Sequence, residues 1–133
     1  MVFEHFALNV ENPIEVANWY VINLEMKIVK GIVQPPFAHF LADKTGRLAI
    51  EIYRNESAEI LDLKSKHPLE FHFAFMVKNA EEIKNKLLSA GAKFVEELKP
   101  EDGSHLVMLR DPFGVPLQLC QRGIPMMDIE LLS

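Results

Sequence analysis

The sequence contains a single cysteine, Cys120, in 133 residues. No internal disulfide is possible and the chain suits a reducing compartment, so the cytoplasm is the expected location. Positive charge is also scarce: 14 Lys and Arg stand against 19 Asp and Glu, for a net charge of −5. That balance, with no basic face or stripe standing out, argues against binding to a phosphate backbone, and no nucleic-acid partner is expected. No apolar run exceeds strand length, so no membrane span is expected. A first strand starting almost at Met1 leaves no room for a signal peptide. No glycine spacing matches a phosphate loop, and no serine turn matches a nucleophile elbow.

What is present is a repeat. Shifted by 67 positions, His5-Phe6-Ala7-Leu8-Asn9-Val10-Glu11-Asn12 lies over His72-Phe73-Ala74-Phe75-Met76-Val77-Lys78-Asn79, and five of the eight residues coincide. The same shift brings Glu15 onto Glu82, Asn18 onto Asn85 and Glu51 onto Gln118. A duplication fixes the architecture. With 49% hydrophobic and 25% charged residues, the composition is that of an ordinary globular domain. We expect one domain over residues 1–122, divided into module 1 (1–54), a linker (55–68) and module 2 (69–122), then a C-terminal extension (123–133). The extension carries Met126, Met127, Ile129, Leu131 and Leu132 and is expected to pack on the body or on a second subunit.

Each module reads strand, helix, strand, strand, strand. Period-two alternation predicts strands over Val2–Val10 and Glu70–Val77. Asn12-Pro13 predicts a helix start, the Asn side chain capping and Pro taking the first helical position. Ile14, Ala17, Val21 and Leu24 make that helix's expected apolar stripe. In module 2, Asn79 with Glu82 resembles a capping box, and Gly91 ends the helix. The remaining strands are predicted at Met26–Val33, Phe37–Leu41, Arg47–Tyr53, Lys93–Leu98, His105–Arg110 and Val115–Gln121. Turns at Asp43–Gly46 and Asp111–Gly114 precede the last strand of each module.

Alternation also sorts the faces. His5 shares one with Phe3 and Ala7, Glu51 with Ala49 and Tyr53, His72 with Ala74 and Met76, and Gln118 with Pro116 and Cys120. The opposite faces are solidly apolar and are expected to meet the helices. Two half-sheets related by a pseudo-twofold would gather His5, Glu51, His72 and Gln118 on one concave face. Two imidazoles, a carboxylate and an amide oxygen suit one divalent first-row ion (zinc, nickel, manganese or iron(II)) with positions left open. Singly, each residue reads as an ordinary strand residue; the argument lies in two symmetric pairs. Tyr53 is a candidate to hydrogen-bond substrate. His39 and His105, on the third strands, are further candidates to border the cleft. Cys120 reads as a packing residue, and Arg47, Lys99 and Arg110 as solvated surface.

His5-Phe6-Ala7-Leu8, Trp19-Tyr20 with Leu24, Leu48-Ala49-Ile50-Glu51, His72-Phe73-Ala74-Phe75, Ala90-Gly91-Ala92 and Asp111-Pro112-Phe113-Gly114 with Pro116-Leu117-Gln118-Leu119 form a set. Over residues 2–121 it resembles the glyoxalase/bleomycin-resistance/dioxygenase group, the vicinal oxygen chelate superfamily, in its glyoxalase I-like form. The resemblance implies an α+β fold of two tandem βαβββ modules, forming an open, curved eight-stranded sheet around a cleft. It also implies a homodimer and a metal ligand at each of His5, Glu51, His72 and Gln118.

Where glyoxalase I-type enzymes hold Glu, this chain has Gln118, and an amide accepts no proton near neutral pH. Epimerase-like members use His, Gln, His, Glu in chain order, the same set with modules exchanged. Glu51 thus becomes the candidate catalytic base. The expected function is a metal-dependent lyase or isomerase that stabilises an enediolate of a small carbonyl substrate. The alternative is a metal-free protein that sequesters a small molecule, as bleomycin-resistance proteins do. A dioxygenase comes third, because the iron-binding members keep the last Glu.

Overall fold

Each copy of the repeat folds as its alternation demands. The computed structural model describes residues 1–47 and 49–129, and the chain forms two compact units, Met1–Leu61 and Asp62–Ser133. The first contains β1 (His5–Asn9), α1 (Pro13–Asn23), β2 (Lys27–Gly31), β3 (His39–Ala42) and β4 (Ala49–Tyr53). The second contains β5 (Phe73–Met76), α2 (Ala80–Ser89), β6 (Lys93–Leu98), β7 (His105–Arg110) and β8 (Pro116–Gln121). Strand orders are β1-β4-β3-β2 and β5-β8-β7-β6, the same path twice. The fold is therefore α+β, built from two βαβββ modules. In each sheet the first strand runs parallel to the last, and the other pairings are antiparallel. No helix among the described residues is long and apolar enough to cross a membrane.

The helix-facing side of each sheet is mainly apolar, as its alternation predicts. Leu8, Leu41, Ile50 and Ile52 are buried in the first unit, and Val107, Leu109, Leu117 and Leu119 in the second. Burying one such side chain stabilises the fold by about 1.5–3 kcal/mol before entropy is counted. Several predicted strands prove shorter than expected, β1 and β5 among them. Pairing of β1 begins with His5 opposite Ala49, so residues 2–4 lie outside the ladder. Pairing of β5 begins with Phe73 opposite Leu117; one step back stands Pro116, which has no amide hydrogen to donate. His72 accordingly precedes its strand, whereas His5 lies inside β1. The third strand starts at His39, not Phe37, whose φ of 58° is far from extended.

Helix α1 starts at Pro13 as expected, but the Asn12 side chain makes no capping bond. The first turn closes through the backbone, Val16 N–H donating to Asn12 O at 3.1 Å. The buried stripe of α1 also differs from the prediction: Pro13, Val16, Ala17 and Tyr20 are buried, while Ile14 and Ile22 are exposed. This helix is apolar on nearly every side, so two overlapping stripes were compatible with its spacing. Helix α2 is polar enough for one answer. Asn79 accepts from Glu82 N–H at 3.1 Å, and Gly91 ends the helix at φ 99°. The register of β2 on β3 slips between Ile28 and Lys30, and that of β6 on β7 between Phe94 and Glu96. Of the predicted C-terminal extension, Leu131 and Leu132 lie outside the described residues.

Candidate metal centre

The parallel pairing of β1 with β4 places Ala7 opposite Glu51, which leaves His5 diagonal to Glu51 on the same face. Their donor atoms, Nε2 and Oε1, are 3.7 Å apart. Donor atoms held about 2 Å from a common ion lie roughly 3–4 Å from each other, so this half-site has the dimensions of a ligand pair. On its other side the imidazole is fixed: His5 Nδ1 is 2.8 Å from Glu4 Oε1. An ionised carboxylate can only accept, so Nδ1 carries a hydrogen, and in the neutral imidazole Nε2 is then the nitrogen with the lone pair. Phe40, opposite Glu51 across β3, stands edge-on to the His5 ring at 5.3 Å.

In the second unit the corresponding residues are His72, which precedes its strand, and Gln118 on β8. Ala74 pairs with Gln118, and His72 stands two residues earlier, as His5 does before Ala7. His72 Nδ1 is 2.8 Å from the Pro68 carbonyl oxygen, which also can only accept. His72 thus presents Nε2 as a lone pair too. A ring nitrogen whose partner N–H is tied to a carboxylate or carbonyl is the usual state of a metal-binding histidine. Gln118 is half-buried, and the Cys120 thiol donates to its Oε1 at 3.3 Å. Burial pushes the Cys120 thiol up from its ordinary value, opposed by the charge of Arg122, which keeps it a donor. The carbonyl oxygen of Gln118 retains a second lone pair. Imidazole nitrogen with carboxylate in the first unit, and imidazole nitrogen with amide oxygen in the second, are donor types that divalent first-row ions accept.

The other sequence candidates fall elsewhere. Tyr53 is half-buried at the end of β4, two residues from Glu51 and on its face. His39 does not border that face. It pairs with Ile52, which puts it on the helix side, where its Nδ1 donates to Phe37 O at 2.7 Å. His105 pairs with Gln121, whereas Met108 pairs with Gln118, so His105 also takes the helix side. Arg110, expected as solvated surface, is engaged: its guanidinium donates to the carbonyls of Leu63, Lys66 and Gly114, tying segment 62–66 to the β7–β8 turn.

His105 instead belongs to a cluster that the sequence reading missed. Its Nε2 is 2.6 Å from Glu97 Oε2, and Glu81 completes a set of three metal-capable side chains within 4.8 Å. Lys84 already occupies the cationic position there, 2.8 Å from Glu81 and 3.5 Å from Glu97. The hydrogen bond from His105 holds the Glu97 carboxyl below its ordinary value, and the hydrogen bond to Glu81 raises the Lys84 ammonium. The arrangement is an ion-pair network that clamps α2 to β6 and β7. The i,i+3 spacing of Glu81 and Lys84 was its only trace in the sequence.

Comparison with known proteins adds independent findings. The model of the Glyoxalase/Bleomycin resistance protein/Dioxygenase superfamily matches residues 2–119. A glyoxalase family protein from Bacillus cereus superposes with a TM-score of 0.79 at 16% identity, covering 92% of this chain and 94% of that one. A glyoxalase I mutant from Zea mays gives 0.72 at 21% identity, with 91% of this chain matching 45% of that one. An antibiotic binding protein from a Streptomyces species gives 0.70 at 12% identity, covering 92% and 96%. No curated protein matches the chain by sequence. At these identities the structural likeness concerns the fold.

Proposed function

Because the chain belongs to the glyoxalase/bleomycin resistance protein/dioxygenase superfamily, we propose that it is a metal-dependent lyase or isomerase of the glyoxalase I type, acting on a small carbonyl compound. His5, Glu51, His72 and Gln118 would hold one divalent ion, whose bound form supplies Lewis-acid polarisation of a substrate carbonyl. The observation that carries the reading is the matched state of the two histidines. Each has Nδ1–H tied to an acceptor 2.8 Å away and Nε2 left as a lone pair, one of them 3.7 Å from a carboxylate.

The proton chemistry falls to Glu51. Its carboxylate takes the hydrogen from the carbon beside the substrate carbonyl and returns it to the neighbouring carbon, leaving the oxidation state of the whole molecule unchanged. Gln118 takes no part in that transfer, because its amide has no accessible basic form. Tyr53, on the Glu51 face, donates its hydroxyl hydrogen to a substrate oxygen. With one anionic ligand the ion keeps a net positive charge, which favours an anionic oxygen substrate. In this reading the partners are a small-molecule substrate and a second copy of the chain, and the compartment is the cytoplasm, in keeping with the lone cysteine.

Elemental analysis of untagged protein tests this first, beside the variant carrying His5→Ala and His72→Ala. We expect about one ion per chain in the parent and none in the variant. Turnover of 2-oxoaldehyde thiohemiacetals or epimerisation of acyl thioesters should then depend on Glu51. If added zinc, nickel, manganese and iron(II) all fail to bind, the enzymatic reading is lost. Metal-free sequestration then takes its place, in line with the antibiotic-binding protein that shares the fold.

A further inference from the structure

Resting on that metal-binding reading, we propose that Glu4 is a positioning residue that holds His5 in the tautomer whose Nε2 lone pair faces Glu51. The duplication is what makes this contact informative. At the repeat spacing, Glu4 corresponds to Phe71, so the second copy lacks an equivalent carboxylate. That copy nevertheless holds its histidine in the same tautomer by another route, with the Pro68 carbonyl 2.8 Å from His72 Nδ1. Two unrelated acceptors, a side-chain carboxylate and a backbone carbonyl, impose one outcome at both imidazoles. The shared outcome points to a requirement for free Nε2 atoms, because no shared residue produces it.

The two devices differ in permanence. A backbone carbonyl cannot be removed by substitution, whereas the Glu4 carboxylate reaches His5 from a side chain that is 84% exposed. Without it, the His5 ring still packs edge-on against Phe40, but that contact leaves the choice of tautomer open. An imidazole with no acceptor at Nδ1 is free to carry its hydrogen on Nε2, where it blocks coordination.

The test uses nitrogen-15 NMR of the imidazole rings in metal-free protein at about pH 8.5, where histidines are neutral, together with competition against a chromophoric chelator for zinc. In the parent, both His5 and His72 should show Nδ1–H and bare Nε2. Glu4→Ala should move His5 toward the Nε2–H form, leave His72 unchanged as an internal control, and weaken zinc binding about 10- to 100-fold. Glu4→Gln, which keeps an acceptor oxygen at the same reach, should restore most of both effects. The proposal is overturned if His5 keeps its tautomer in Glu4→Ala, or if zinc affinity there stays within twofold of the parent. A parent that binds no metal would sink the metal reading separately, since the tautomer measurement needs none.

Discussion

In the first copy of the repeat, His5 lies within β1, its neighbour Glu4 is the acceptor for its ring, and the last strand offers a carboxylate, Glu51. In the second, His72 precedes β5, a backbone carbonyl is the acceptor, and the last strand offers an amide whose oxygen already receives a thiol hydrogen. The scaffold is the same strand path twice. Duplication thus preserved where the side chains stand and let their chemistry diverge. One half retains a group that can take a proton, and the other a group that can only orient. Paired substitutions at equivalent positions probe how deep that divergence runs.

The largest effects belong to the cores. Ile52 and Leu119 occupy equivalent positions and are both fully covered. Truncating either to Ala should cost about 2–5 kcal/mol in urea unfolding. Similar losses in one sharp transition would show that the two copies unfold together, and two separated transitions would show that they do not.

Smaller and unequal effects are expected at the turns. Asp111 is buried, and its Oδ1 accepts from the amides of Phe113 and Val115, both at 2.9 Å. Asp43 is more exposed and accepts from the Thr45 amide and hydroxyl. Asp111→Ala should therefore cost about 1–3 kcal/mol, and Asp43→Ala less than about 1 kcal/mol. Equal costs would remove this difference between the copies. The turn glycines follow the same ranking. Gly46 has open space where a Cβ would go, whereas at Gly114 it would meet the Lys64 side chain, and both have positive φ.

The weakest contrast concerns acid. The Glu97 carboxyl lies below its ordinary 4.5 because His105 donates to it. The stabilisation from that shift is therefore complete above pH 4.5 and is lost as the pH falls through the lower folded value. Glu97→Gln should slightly flatten the fall in melting temperature below pH 4.5. The exposure of Glu97 keeps the effect small. An unchanged pH profile would mean that the network holds α2 by packing alone.

The paired βαβββ fold and the apolar strand faces were legible in the sequence, because period two and a fixed shift of 67 are both patterns of residue order, and that shift is what nominated the four candidate ligands. Register was harder to read. His39 and His105 stood as lesser candidates to border the cleft, since the repeat does not pair them, and only cross-strand pairing shows that they take the helix side. The phase of α1 was also hidden, since Ile14 and Val16 are equally apolar and only packing chooses between them. The acceptors that fix the histidine tautomers include a backbone carbonyl, which leaves no mark in residue identity. The ion-pair network joins residues 81 and 105, a separation over which charge patterning carries no signal.

The register slips in β2 and β6 have a consequence for how the molecule meets its neighbours in solution. Both strands are outer strands of their sheets, and they expose Ile28, Val29, Phe94, Val95 and Leu98. Such apolar flanks would ordinarily template the growth of a sheet from one molecule into the next. A bulge bends its strand and interrupts the ladder, a feature that blunts an outer strand against pairing with another chain. The same irregularity in both copies lets the chain carry sticky side chains on its flanks without offering a continuous seam for fibre growth.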